Sequence, residues 1–194
     1  GGVAFNDSWL GNAQSEHEYR DTMFRVTGAM SRNLQSAFNQ GWTAMTGEIL
    51  QGYPYFFTGS ASNESQNTYV SLASTPTPDT LTLQKLVQLS VLSAQERVYV
   101  TTPYFLTDAP LRALLIRKAK SGVDVRVLVP GEKTDAKTVR YASHFRYTEL
   151  LTAGVRIFEY RDTFIHSKSL VVDGVWSLIG SPNMDFRSRK INDE

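Results

Sequence analysis

The chain has 194 residues, a formal net charge of +1 and no cysteine. This length can bury the core of one domain or of one and a half, and the near-neutral charge excludes nucleic-acid binding driven by a bulk basic field, leaving only a local patch. Without cysteine there are no disulfides and no thiolate metal sites. No apolar run approaches the ~20 residues of a membrane-spanning helix and no signal peptide is legible, so the chain itself is expected to be soluble.

In chain order, residues 1–45 predict a loop, a strand around Thr22 to Thr27, and an amphipathic helix from Ser31 to about Trp42 with Ser31 as its N-cap. Residues 46–78 read as a connector holding "YPYFF", the polar run "SASNESQN", a short strand from Thr68 to Ala73 and the breaker series "STPTPD". The aromatic run at 53–57 is expected to be buried against the sheet, with a lipid-facing loop as the alternative. From residue 79 to 194 helix and strand alternate. Helices are predicted over Thr80 to Ser93, Asp108 to Ser121 and Ala136 to Ala153, and strands over Arg97 to Thr102, Val123 to Val129 and Val155 to Glu159. Such alternation implies an α/β fold with a sheet covered by helices. Tyr104 and Phe105 follow a strand end, where they either line a ligand crevice or pack the turn.

The densest run closes the chain: "IHSKSLVVDGVWSLIGSPN", in the pattern His-x-Lys-x4-Asp-x6-Gly-Ser-x-Asn. Ile165 to Val172 alternate as a strand, which puts His166, Lys168 and Leu170 on one face. Asp173-Gly174 signals a two-residue hairpin turn, with Val175 to Ile179 returning. The hairpin brings Gly180, Ser181 and Asn183 back beside His166 and leaves Asp173 at the far turn. From spacing alone, Asp173 has a structural task there. An imidazole, a fixed cation and small hydrogen-bond donors at one place suit the binding and attack of a phosphodiester. His17 and His144 have no lysine two residues on and read as surface or helix-packing residues.

These residues resemble the HKD signature of the phospholipase D superfamily, and the flanks resemble its cardiolipin synthase-like branch. The likeness is carried by "VYVTTPYFLTD", "GVDVRVLVPG", "DAKTVRYASHFRYTELLTAGVRIFEY" and "NMDFRSRKINDE". Upstream, "GGVAFNDSWLG" and "YRDTMFRVTGAMSRNLQSAFNQGW" are similar to the segment after the first HKD motif in two-motif members. The resemblance implies a phospholipase D-like mixed β-sheet flanked by helices. It further implies the second half of a pseudo-two-fold repeat (79–194), preceded by the tail of the first half (1–45) and a connector (46–78). The chain is thus expected to be a piece that starts just after the first HKD motif and to be inactive alone, unless the missing N-terminal half or a homodimer supplies a second histidine.

The resemblance also implies a mechanism. One histidine of the pair attacks phosphorus to form a phosphohistidine, while the other protonates the leaving alkoxide and then activates water or an alcohol. It assigns catalytic positions to His166, Lys168, Asp173 and Glu194, with Glu194 holding the His166 tautomer and Asp21 serving the missing first histidine. Lys168, Ser181 and Asn183 would bind the phosphate beside Gly180, and neither metal nor cofactor is implied. The family pattern "GG-x-N" has Ala4 where asparagine is expected. Either the nearby Asn6 substitutes or the first half-site is weakened. The implied substrate is a phosphatidylglycerol-like phospholipid rather than nucleic acid, and the implied location of the full-length protein is the bacterial inner membrane. A superfamily nuclease and a non-catalytic phosphate-binding half are the alternatives.

Overall fold

A computed structural model describes residues 4–56, 68–74, 81–192 and 194. They form two compact units: Gly1–Met23 with Ser74–Glu194, and Phe24–Ala73. The first 23 residues therefore belong to the same body as the C-terminal α/β part, although the sequence pattern groups them with the helix after them.

The smaller unit is built on α1 (Ala29–Thr46), which ends at Gly47 in the left-handed region (φ 73°). The helix starts two residues before the predicted Ser31 cap, and the Ser31 hydroxyl instead donates to the carbonyl of Gly28 at 2.7 Å. The strand predicted over 22–27 is not formed. The strand predicted over 68–73 also has no ladder partner among the described residues and adopts no regular structure. Alternating side chains alone do not make a strand when no neighbour takes up its backbone groups. Tyr53, Tyr55 and Phe56 are exposed, contrary to the buried packing expected of them. Phe57, "SASNESQN" up to Asn67, and "TPTPD" lie outside the described residues.

In the larger unit, β1 (Arg97–Thr101), β2 (Asp124–Pro130) and β3 (Arg156–Tyr160) run parallel. The hairpin of β4 (Ser169–Val172) and β5 (Trp176–Ile179) pairs antiparallel with β1, giving the order β3-β2-β1-β4-β5. Parallel neighbours need long crossovers, and α3 (Ala109–Lys120) and α4 (Lys137–Thr152) provide them after α2 (Thr82–Ser93). The fold is thus a mixed α/β sheet flanked by helices, as the alternation predicts.

The core is made where the period of two turns valines inward. Val98, Val127 and Leu170 are fully buried on adjoining strands, and so are Leu115 on α3 and Leu150 on α4. Each fully buried aliphatic side chain contributes about 1.5–3 kcal/mol. Asp108 starts α3 by accepting the N–H of Leu111 at 3.0 Å, and Arg117, Lys118 and Lys120 face the negative end of its dipole.

The hairpin turn keeps closely to the sequence. Asp173 (φ 53°) and Gly174 (φ 75°) both adopt positive φ as an Asp-Gly turn requires, but Val175 also stays in the turn between the paired Val172 and Trp176, so the connection has three residues and the return strand starts one residue later than expected.

Candidate active site

The chain segment around Arg20 lies beside the residues that lead into β4. Arg20 N–H donates to Phe164 O, and His166 N–H donates to Arg20 O, both at 2.8 Å. This short parallel bridge sets Asp21 against His166 across 145 positions of sequence. Asp21 Oδ2 is 3.2 Å from His166 Nδ1 and accepts the indole N–H of Trp9 at 3.3 Å, while Oδ1 accepts the N–H of Thr22 at 2.7 Å.

Burial raises the Asp21 pKa, but the hydrogen bonds from His166 and the Thr22 N–H outweigh it and hold the carboxyl well below its usual range. An ionised Asp21 accepting at Nδ1 fixes the proton there and leaves Nε2 with a lone pair. The His166 ring also stands among aromatic rings. Trp9 meets it edge-on at 5.3 Å between centroids, with Phe164 at 5.6 Å and Tyr19 at 6.1 Å.

Lys168 shares the His166 face, as the strand period predicts. Its Nζ donates to the His166 carbonyl at 2.8 Å and lies 3.2 Å from each imidazole nitrogen. Equal distances to two nitrogens whose in-plane lone pairs diverge place the ammonium off the ring plane. Lys168 is 7% exposed, and this burial pushes its pKa below the ordinary lysine value, opposed by the negative charges of Asp21, Glu194, Asp135 and Asp185. A buried cation with few fixed partners is poised to meet an anion.

Lys168 also lines a small, partly open cleft. Gly180 and Asn183, returned by the hairpin, line the same cleft. Ser181, between them in sequence, is exposed. Asn183 N–H donates to Ser188 Oγ at 2.8 Å, and Ser188 N–H donates to Asp185 Oδ1 at 2.9 Å, the cap of the short helix α5 (Phe186–Lys190).

Two residues of the implied catalytic set stand elsewhere. Asp173 accepts the N–H groups of Gln95, Glu96 and Arg97 at 2.8, 2.9 and 2.8 Å, tying the turn to the start of β1. Seven residues of near-extended chain at ~3.3 Å each set it roughly 20 Å from His166, so it makes no contact with the site. Glu194 was expected to hold His166, and the structure gives that place to Asp21. Glu194 pairs through its backbone with Ser74, at 2.8 and 2.9 Å, and reaches Lys168 only by its charge. The reason is the Arg20 bridge, a long-range pairing that spacing within the motif cannot reveal.

The remaining sequence candidates are accounted for locally. Asn6 is exposed, and its Oδ1 accepts the N–H of Ser8 at 2.9 Å to cap the short 3-10 helix Asp7–Trp9. Phe105 is buried and bridges to Met184, and the Tyr104 hydroxyl donates to Asp135 at 2.7–2.8 Å; both pack the turn. His144 meets Glu159 at 2.8 Å, and His17 is exposed. Trp9, Tyr19 and Phe164 were missed, and only their aromatic character hinted at them.

The family described as "Cardiolipin synthase, PLD-like domain" matches residues 90–194, just over half of the chain. The chain belongs to this cardiolipin synthase, phospholipase D-like family. Curated cardiolipin synthases resemble it along its whole length. That of Geobacillus thermodenitrificans is 38% identical over 194 residues, and cardiolipin synthase 2 of Bacillus anthracis is 36% identical over the same span. In both cases the match covers 100% of this chain and 38% of the relative, so the chain spans well under half the length of these proteins. Among solved structures, Nuc of Salmonella typhimurium, a phospholipase D family member, aligns at 21% identity with a TM-score of 0.47 over 57% of this chain and 70% of that one, too slight a likeness to argue from. Among the described residues no group of three or more His, Asp or Glu could hold a metal ion, and no helix is long and apolar enough to cross a membrane.

Proposed function

We propose that the chain is the second half of a two-motif enzyme that transfers or hydrolyses phospholipid phosphodiesters through a phosphohistidine. The observation that carries this reading is the Asp21–His166–Lys168 cluster beside the cleft that Gly180 and Asn183 line. Asp21 holds the proton on Nδ1, and Nε2 is the atom that bonds to phosphorus or passes a proton to the leaving oxygen. His166 is one imidazole of the pair.

In the first step one imidazole Nε2 bonds to phosphorus as the P–O bond to the alkoxide breaks, and the opposing imidazolium protonates that alkoxide. In the second step the now neutral opposing imidazole takes the proton of an incoming alcohol or water, whose oxygen displaces the first histidine. Lys168 and the Asn183 amide N–H groups stabilise the nonbridging oxygens as charge builds. The opposing histidine comes from a second phospholipase D-like half or from a second copy of the chain.

The lipid substrate is supported by the names of the relatives. Membrane association of the full-length protein is supported by the exposed Tyr53, Tyr55 and Phe56, since aromatic rings suit the membrane interface.

The test is acid-quenched trapping on the full-length enzyme with labelled phosphatidylglycerol. Label on a histidine that is lost in His166→Asn, together with lipid product, supports the reading. DNA cleavage without lipid turnover would replace it with a nuclease, and phospholipid binding without turnover or label would reduce it to a binding half.

A further inference from the structure

Of the aromatic rings around His166, Trp9 does more than pack. Its indole N–H donates to Asp21 Oδ2 at 3.3 Å, and the same oxygen lies 3.2 Å from His166 Nδ1. A carboxylate oxygen carries two lone pairs, so it serves both N–H groups at once. The Trp9 ring also meets the imidazole edge-on, with planes at 86° and centroids 5.3 Å apart. One indole thus touches both members of the Asp21–His166 pair, whereas Tyr19 and Phe164 meet the imidazole by ring contact.

Local structure delivers Trp9 to that place. It closes the 3-10 helix Asp7–Trp9, and its backbone N–H donates to the carbonyl of the Asn6 cap at 3.0 Å. Ser8 O accepts the N–H of Tyr19 at 2.6 Å, which ties this turn to the segment that carries Asp21. Packing alone would be met by any large apolar ring. An N–H aimed at a carboxylate that is only 10% exposed has a further consequence. The terminal torsion of an aspartate is broad and roughly two-fold, and donors on both oxygens, Thr22 N–H at Oδ1 and Trp9 at Oδ2, fix its plane.

We infer that Trp9 is a positioning residue for His166: its N–H holds the Asp21 carboxylate in line with Nδ1 and its ring edge limits the tilt of the imidazole. Nε2 is thereby kept aimed at the reacting atoms, which both bonding to phosphorus and proton transfer require. Trp9 acts through Asp21 and the imidazole rather than on substrate. This inference rests on the reading of Asp21 and His166 as half of a phosphohistidine site.

The test has two arms. In the full-length enzyme, Trp9→Phe keeps an aromatic edge and loses the donor. Its kcat for lipid turnover per folded molecule should fall roughly three- to tenfold with KM unchanged, the scale of one net hydrogen bond. In an Asp21→Ala background the same substitution should cost about twofold or less, because a residue that acts through Asp21 has nothing left to act on. An unchanged kcat, or equal losses in the two backgrounds, overturns the inference. If Asp21→Ala does not fold, kcat and KM of Trp9→Phe decide. In the 194-residue chain, Trp9 supplies one of three indole N–H resonances, assigned by its loss in Trp9→Phe. That resonance should move upfield in Asp21→Ala, and one that stays in place removes the hydrogen bond and the inference with it. A wild-type enzyme that forms no phosphohistidine sinks the reaction and the positioning role together, while the indole resonance still reports the contact.

Discussion

The two ends of β4 hold the same kinds of group under opposite conditions. At the Asp173 end, a half-buried carboxylate receives three backbone N–H groups and closes a hairpin. At the His166 end, a buried ammonium leans over an imidazole whose second partner comes from Asp21. The contrast teaches that the HKD signature is two devices on one strand. Asp173 secures the register of the strand, and the register decides that His166 and Lys168 face the same way.

The largest expected effect separates the ends by chemistry. In the full-length enzyme His166→Ala should lower lipid turnover by about 10⁴-fold or more, as loss of a nucleophile or its acid does elsewhere. Its unfolding free energy should fall as well, by about 1–3 kcal/mol, because Asp21 loses the hydrogen bond that holds its buried carboxyl ionised. A turnover loss of less than tenfold would remove His166 from the reaction.

Lys168→Met should cost about 10²–10³-fold in turnover, the scale of one lost transition-state donor, while leaving the fold as stable or more so. The sign comes from burial. The folded-state pKa of Lys168 lies below its unfolded value, so the unfolded chain binds more protons between the two, and stability rises with pH through that window. Lys168→Met should flatten that rise in urea denaturation measured across alkaline pH.

Asp21 gives a third test. Its folded pKa is depressed, so its contribution is present above the ordinary carboxylate range and is lost as pH falls through the folded value. Asp21→Asn should therefore lower stability by about 1–3 kcal/mol at neutral pH and blunt the acid limb. It should also change the pH profile of turnover, which Glu194→Gln should affect far less. The reverse ranking would restore Glu194 as the partner of the imidazole.

The smallest effect lies at the other end. Asp173→Ala should destabilise the chain by about 1–2 kcal/mol, the scale of a lost helix cap, with turnover per folded molecule reduced far less than in His166→Ala. Its pKa is lowered by the N–H groups of Arg97 and Gln95, so this stability too is lost on acidification. A large turnover loss with unchanged stability would return Asp173 to the catalytic set.

Much of this was legible in the sequence because it is local. Alternating valines announce β1 and β2, the Asp-Gly pair sets the turn, and a period of two puts His166 and Lys168 on one face whatever surrounds them. Strands predicted over 22–27 and 68–73 failed because a strand exists only by its neighbour, and none is formed there. Tertiary structure alone decided the partner of His166. The bridge at Arg20 joins residues 145 apart, and no spacing rule reaches that far. It likewise set Trp9, Tyr19 and Phe164 around the imidazole, because burial and side-chain contact depend on where separate elements meet.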